Sequence, residues 1–183
     1  MIDLQKYCST ELFKLYLHHP FSQSNYTYAT NGHILVRVPL RPDVEKQKKP
    51  NVSSVWPKYE PTAWIAPLTF DFPEPESLPC KDCYNGGRVH DCPGCECVCQ
   101  KCGGTEEIFV IRAVKLGPLY IQEKYARLMM ELPKIEIEAQ PPLMGPVQFR
   151  FDGGRGLVMP CILPGHGGKS VPIIGTMMEE PAP

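Results

Sequence analysis

The chain has 183 residues, 43% of them hydrophobic and 21% charged. That suits one ordinary globular domain with an insertion and leaves little room for two full cores. Proline occurs 21 times, about twice its usual frequency, which excludes a helical bundle and favours short strands and loops. No apolar run reaches the roughly 18 residues that a bilayer span needs, and the start MIDLQKYC is not a signal peptide. With 19 basic and 20 acidic residues, there is no basic stripe to announce nucleic-acid binding. The expectation is a cytoplasmic chain with no membrane partner.

In chain order, Leu4, Tyr7, Cys8, Leu12, Leu15 and Tyr16 fall on one stripe of an amphipathic helix that Pro20 ends. Residues 26–29 and 33–38 are β-prone runs around Asn31-Gly32, a pair suited to a type I′ hairpin turn because both positions accept positive φ. Residues 39–79 are proline-rich and carry Trp56 and Trp64; they predict an irregular connection with one strand at 68–72. Beyond the cysteines, residues 107–116 predict a strand. A second helix is expected from Pro118, a good first-turn residue, to about Leu132, with Ile121, Tyr125, Leu128, Met129 and Leu132 on one face. Residues 134–139 alternate as a half-buried strand does. Residues 147–151 and 157–161 flank Asp152-Gly153-Gly154-Arg155-Gly156 as a hairpin, and 163–183, rich in Pro and Gly, read as a loose tail. The order is α+β, without a βαβ rhythm.

Two stretches resemble a known family. Tyr28-Ala29-Thr30-Asn31-Gly32-His33 is similar to the A-T-D-G-H turn of bacterial DNA polymerase sliding clamps, with Asn31 where the family has Asp. Phe149-Arg150-Phe151 through Gly156-Leu157-Val158-Met159-Pro160 resembles the strand pair that finishes a clamp domain. The resemblance implies a single clamp-like domain, two helices on one face of an antiparallel sheet, built from residues 1–79 and 103–162. Residues 80–102 would be an inserted zinc-binding lobe and 163–183 the tail.

The cysteines are the most specific signal. Seven of nine lie between 80 and 102, as Cys80, Cys83, Cys92, Cys95, Cys97, Cys99 and Cys102, and they include three C-x-x-C pairs. A C-x-x-C knuckle brings two thiolates to one ion, with backbone N–H groups pointing at the sulfurs. The pattern resembles the cysteine-rich zinc finger of J-protein chaperones, although it is shorter and its glycines are less regular. One tetrahedral ion would leave three of these thiols unused, whereas His90 would complete eight ligands for two ions. The outer knuckles, Cys80, Cys83, Cys99 and Cys102, would then share one ribbon-like site. Cys92, Cys95 and Cys97, with or without His90, would form the other. Sites filled by protein ligands are structural, and the metal replaces a core that so short a segment cannot build.

No catalytic constellation stands out. Gly165-His166-Gly167-Gly168-Lys169-Ser170 lacks the strand and spacing of a phosphate loop. The expectation is a non-enzymatic protein-binding adaptor or inhibitor, a monomer or small homo-oligomer, with the zinc lobe as its docking element. Its compact style suggests a bacteriophage product directed at a host system. The alternative is a clamp-like replication or repair factor touching duplex phosphates through Lys6, Lys14, Lys124 and Arg127 on the polar faces of its helices.

Overall fold

A computed structural model of the chain describes residues 2–11, 13–47, 50–83, 99, 102, 104–161 and 171–179. Before the insertion run β1 (Phe21–Gln23), β2 (Tyr26–Thr30), β3 (Ile34–Pro39), β4 (Trp64–Ile65) and β5 (Ser77–Pro79). After it come β6 (Glu107–Phe109), β7 (Ala113–Leu116), β8 (Leu119–Gln122), α1 (Glu123–Met130) and β9 (Glu136–Glu138). The chain continues through β10 (Val147–Phe151), β11 (Gly154–Val158) and β12 (Ile173–Met178). The fold is α+β and mostly antiparallel. A seven-stranded sheet has the order β1-β2-β3-β11-β10-β9-β4, a second has β12-β7-β8, and β5-β6 form a ribbon.

Alternation along the strands divides the large sheet into two unlike faces. The inner face carries Ala29, Val36, Ile137, Phe149 and Val158, packed with Val114, Ile121, Tyr125 and Met129 from the smaller sheet and α1 in one continuous core. The outer face carries a smaller cluster of Phe21, Tyr28, Leu35, Val52 and Leu157, with Trp56 against it. Polar residues fill the rest of that outer face. Glu138 is buried there with no cation beside it among the described residues, accepting from the Gln148 N–H at 2.6 Å and the Tyr59 hydroxyl at 2.9 Å. Burial pushes its carboxyl above the ordinary range, against those two hydrogen bonds.

Both expected hairpins form, by different turn chemistry. Asn31 and Gly32 do not make a two-residue type I′ turn. Residues 31–33 form a three-residue loop in which Asn31 Oδ1 accepts from the N–H groups of His33 at 2.9 Å and Ile34 at 3.2 Å. Only Gly32 takes positive φ, at 93°. An aspartate at 31 would accept the same two bonds. The second hairpin turns through Asp152 and Gly153 alone, so its return strand is Gly154–Val158 and not the expected 157–161, and it pairs Phe151 with Gly154 and Phe149 with Gly156. There the missing side chains matter. A Cβ on Gly156 would strike the Phe149 ring and stand 2.7 Å from the Leu35 carbonyl, so each phenylalanine lies over the glycine opposite.

The two-helix arrangement is not formed. α1 is the single α-helix among the described residues. The N-terminal stripe is instead two 3₁₀ turns, Leu4–Tyr7 and Leu15–Leu17, because the chain between them folds back. The Ser9 N–H donates to the Leu17 carbonyl at 2.9 Å, and Ser9 Oγ accepts from the Glu11 N–H at 3.1 Å. Leu15 is consequently exposed, while Leu12 lies outside the described residues. The second helix starts later than expected. Gly117 at φ 59° and Pro118 make the tight β7–β8 turn, so Ile121 reaches the core from a strand. The expected strand at 107–116 splits at Val110–Arg112 into one stem strand and one body strand.

Two expectations on the flanks also change. Residues 68–72 form no strand; the Leu68 N–H donates to the Met177 carbonyl at 2.7 Å, and Phe70 covers Gly175. Ile173–Met178, placed by sequence in a loose tail, pairs in parallel with β7 and buries Met177 and Met178.

Gly156→Ala should lower stability by about 1–3 kcal/mol, the usual cost of overpacking, as measured by urea unfolding. Combined with Phe149→Leu it should cost less than the two changes summed, because the smaller side chain yields part of the space. Strict additivity would contradict the packing described.

Candidate metal centre

The chain leaves the body after Pro73 and returns at Arg112, and between these points β5 and β6 pair as a stem. Leu78 faces Ile108 and Pro79 faces Glu107, and the Cys80 N–H extends the ladder to the Glu106 carbonyl at 2.7 Å. Cys80 therefore sits where the first strand ends. On the return side a tight turn sets Cys102. The Thr105 hydroxyl donates to the Cys102 carbonyl at 2.7 Å, with Gly104 and Glu106 at φ 88° and 64°.

The four outer cysteines meet at the tip of this stem. The Sγ atoms of Cys80, Cys83, Cys99 and Cys102 all lie within 4.8 Å of one another. The Cys80–Cys99 and Cys83–Cys102 pairs are 3.7 and 3.6 Å apart. A disulfide would need about 2.05 Å. Sulfurs about 2.3 Å from a central tetrahedral ion stand about 3.8 Å apart, so the group has the dimensions of a metal site. Cys80, Cys99 and Cys102 are buried and, with Cys83 against them, form a cluster of their own.

Backbone donors favour ionisation at one corner. Burial opposes it at Cys102, but the Gly104 N–H, the Cys83 thiol and the Glu106 N–H hold that thiol down at about 7. Burial and the neighbouring Cys102 push Cys83 up to about 12. A divalent cation would displace the remaining protons. Cys92, Cys95, Cys97 and His90 lie outside the described residues.

The four basic residues expected on helical faces are placed differently. Lys6 and Lys14 lie on and beside the N-terminal turns, where they pair with Glu131 at 2.5 Å and Glu11 at 3.0 Å. Lys124 is exposed on α1, its Nζ 4.9 Å from the Tyr125 ring centroid. Arg127 is committed elsewhere, to Glu123 at 2.6 Å and the Pro73 carbonyl at 2.5 Å. Lys14 and Lys124 do converge on His33. The His33 ring stacks on Tyr125 at 5.8 Å, and burial with these two lysines lowers its pKa.

Sequence reasoning missed the root of the stem. Arg112 is buried and bidentate to Glu123, at 2.5 and 2.8 Å, and it also donates to the Pro73 carbonyl at 3.1 Å. Arg127 Nε adds a bond to Glu123 at 2.8 Å. One carboxylate at the start of α1 thus collects both legs of the insertion. The available signal was an arginine inside the apolar run Phe109-Val110-Ile111-Arg112-Ala113-Val114, since such a charge is buried only with a partner.

Glu123→Ala should lower stability in urea unfolding, because it takes from Arg112 its bidentate counter-charge. Burial alone would raise the Glu123 carboxyl, but Arg112 and Arg127 hold it below its ordinary 4.5. The stability it supplies is therefore present above that value and is lost as pH falls through the depressed one. The gap between wild type and variant should shrink in acid; a pH-independent gap would contradict the pairing.

Removing metal from the purified chain should free the β5 and β6 amides to exchange with deuterium while β2, β3, β10 and β11 stay protected. Unchanged exchange at the stem would argue against a metal at its tip.

No protein-family model, curated protein or solved structure matches this chain.

Proposed function

We propose that the chain is a non-enzymatic protein-binding adaptor or inhibitor whose zinc-stapled lobe is the docking element. Four thiolates at tetrahedral spacing suit zinc better than the harder divalent cations. Four protein ligands leave no coordination position for water or substrate, so the ion is structural.

What carries this reading is an exposed apolar collar on the stem. Leu78, Phe109 and Ile111 are 53%, 65% and 62% exposed, although a stem that served only itself would gain from polar residues there. By register Leu78 shares one face of the stem with Ile108 and Phe109 lies on the other, so apolar side chains stand out on both sides of the projection, where a protein partner could bury them. The body supports a monomer or small homo-oligomer. Its large sheet ends in β1, three residues long, and β4, two residues long, which are short edges that discourage pairing with another copy.

The clamp-like reading remains the second one, favoured by Lys14 and Lys124 meeting at His33. Weighing against it are the pairing of Lys6, Lys14 and Arg127 with carboxylates and the single α-helix among the described residues, where a clamp domain has two.

Replacing Leu78, Phe109 and Ile111 together by serine should leave a folded chain that has lost its protein partner. Exchange of residues 80–102 for a Gly-Ser linker should have the same effect. Pull-down from the native host compares the three proteins, with duplex DNA titrated in parallel. Salt-sensitive duplex binding that Lys14→Glu with Lys124→Glu abolishes, together with full partner capture by both altered chains, would replace this reading with the second.

A further inference from the structure

The outer face of the large sheet carries a row of charge that the stem does not explain. Arg37 on β3 is the register partner of Arg155 on β11, and Arg155 is that of Arg150 on β10. Three arginines therefore stand side by side across adjacent strands. Like charges directly opposite are destabilising, so such a row invites a search for its counter-ions. Arg150 has one in Glu136, at 2.5 Å on the next strand. Arg155 Nη1 donates to both oxygens of Glu60, at 2.9 and 2.6 Å, but the Glu60 side chain is 70% exposed. Arg37 pairs with no carboxylate among the described residues. Its guanidinium lies against two aromatic rings, 3.7 Å from the Trp56 centroid and 4.7 Å from that of Tyr26.

Arg37, Arg155 and Glu60 line a groove of about 440 Å³, together with Tyr26 and the hairpin-tip glycines Gly153 and Gly154. Two guanidiniums and one carboxylate leave this groove with unmatched positive charge. The rings hold Arg37 in place, so little side-chain freedom remains to be lost on binding. At Gly153, with φ 93° and open space where a Cβ would stand, that edge of the groove carries no side chain.

We propose that this groove binds the phosphate dianion of a small phosphomonoester, which displaces Glu60 and bridges Arg37 and Arg155. Planar guanidiniums match phosphate oxygens in pairs. A dianion neutralises both arginines, which Glu60 with its single charge does not. A phosphodiester also carries one charge per phosphate and would gain nothing over Glu60. The volume lies within the range of small-ligand pockets.

The test is calorimetric titration of the full chain with ribose 5-phosphate, inorganic phosphate and dimethyl phosphate. Ribose 5-phosphate should bind saturably and about tenfold or more tighter than dimethyl phosphate. Its affinity should rise as pH passes about 6, where the monoester takes its second charge. Inorganic phosphate should compete for the same site. Glu60→Gln, a change on an exposed side chain, should tighten binding several-fold by removing the internal competitor, and Arg37→Gln should weaken it about tenfold. The proposal is overturned if neither wild type nor Glu60→Gln binds the monoester at millimolar concentration. Equal affinity for the diester, or unchanged binding in a folded Arg37→Gln chain, would also overturn it.

Discussion

The chain departs from its body after Pro73 and re-enters it at Arg112, and the arrangement of everything beyond depends on how those two legs are held. The Pro73 carbonyl, on the leg that leaves the body, accepts from two arginines, Arg112 and Arg127. Both arginines in turn need an anion, and Glu123 serves them together from the first turn of α1. Burying such charges is expensive and adds little net stability over an apolar equivalent. What it supplies is direction, since guanidinium and carboxylate accept few relative orientations. The stem is held at its root by this cluster and at its tip by four thiols. Between root and tip there is little apolar interior, and the tip cluster consists of cysteines alone. A segment built this way depends on the ion pairs at its root and the clustered thiols at its tip, and it leaves Leu78, Phe109 and Ile111 exposed.

The large sheet shows a similar division of labour. Its inner face is a packed apolar layer in which phenylalanines lie over glycines of the neighbouring strand, so sheet and core specify one another. Its outer face is polar and aromatic, with a cross-strand row of arginines, two tryptophans stacked on them and the buried Glu138 beside Gln148. Among the described residues, Gln148 Oε1 has no hydrogen-bond partner there. An antiparallel sheet can leave one face to solvent, but Glu138 and Gln148 are buried here, and buried polar groups cost the fold unless they are paired.

Features carried by local chemistry were legible in the sequence, and those carried by distant partners were not. The β2–β3 and β10–β11 hairpins announce themselves through alternation and through Gly32 and Gly153, and the grouping of Cys80, Cys83, Cys99 and Cys102 follows from knuckle spacing. The N-terminal stripe misleads because its apolar residues fit a helix, while Ser9 and Glu11 offer the backbone a competing set of hydrogen bonds. Pro118 misleads because proline suits a tight turn as well as a first helical turn, and Gly117 at positive φ decides for the turn. β12 contains Gly175 and follows Pro172, both poor strand signals; Phe70, more than a hundred residues earlier, fills the place of the missing side chain. The Arg112–Glu123 contact joins the residue before β7 to the first residue of α1, and pattern alone cannot pair them.

The most direct test of a metal-stapled stem is zinc X-ray absorption on the reduced chain with Cys92, Cys95 and Cys97 replaced by alanine. The four remaining thiols of the cluster should retain one zinc ion per chain, surrounded by four sulfur scatterers at about 2.3 Å. A chain that holds no zinc, or holds it through nitrogen and oxygen neighbours with fewer sulfurs, would contradict the stem as described.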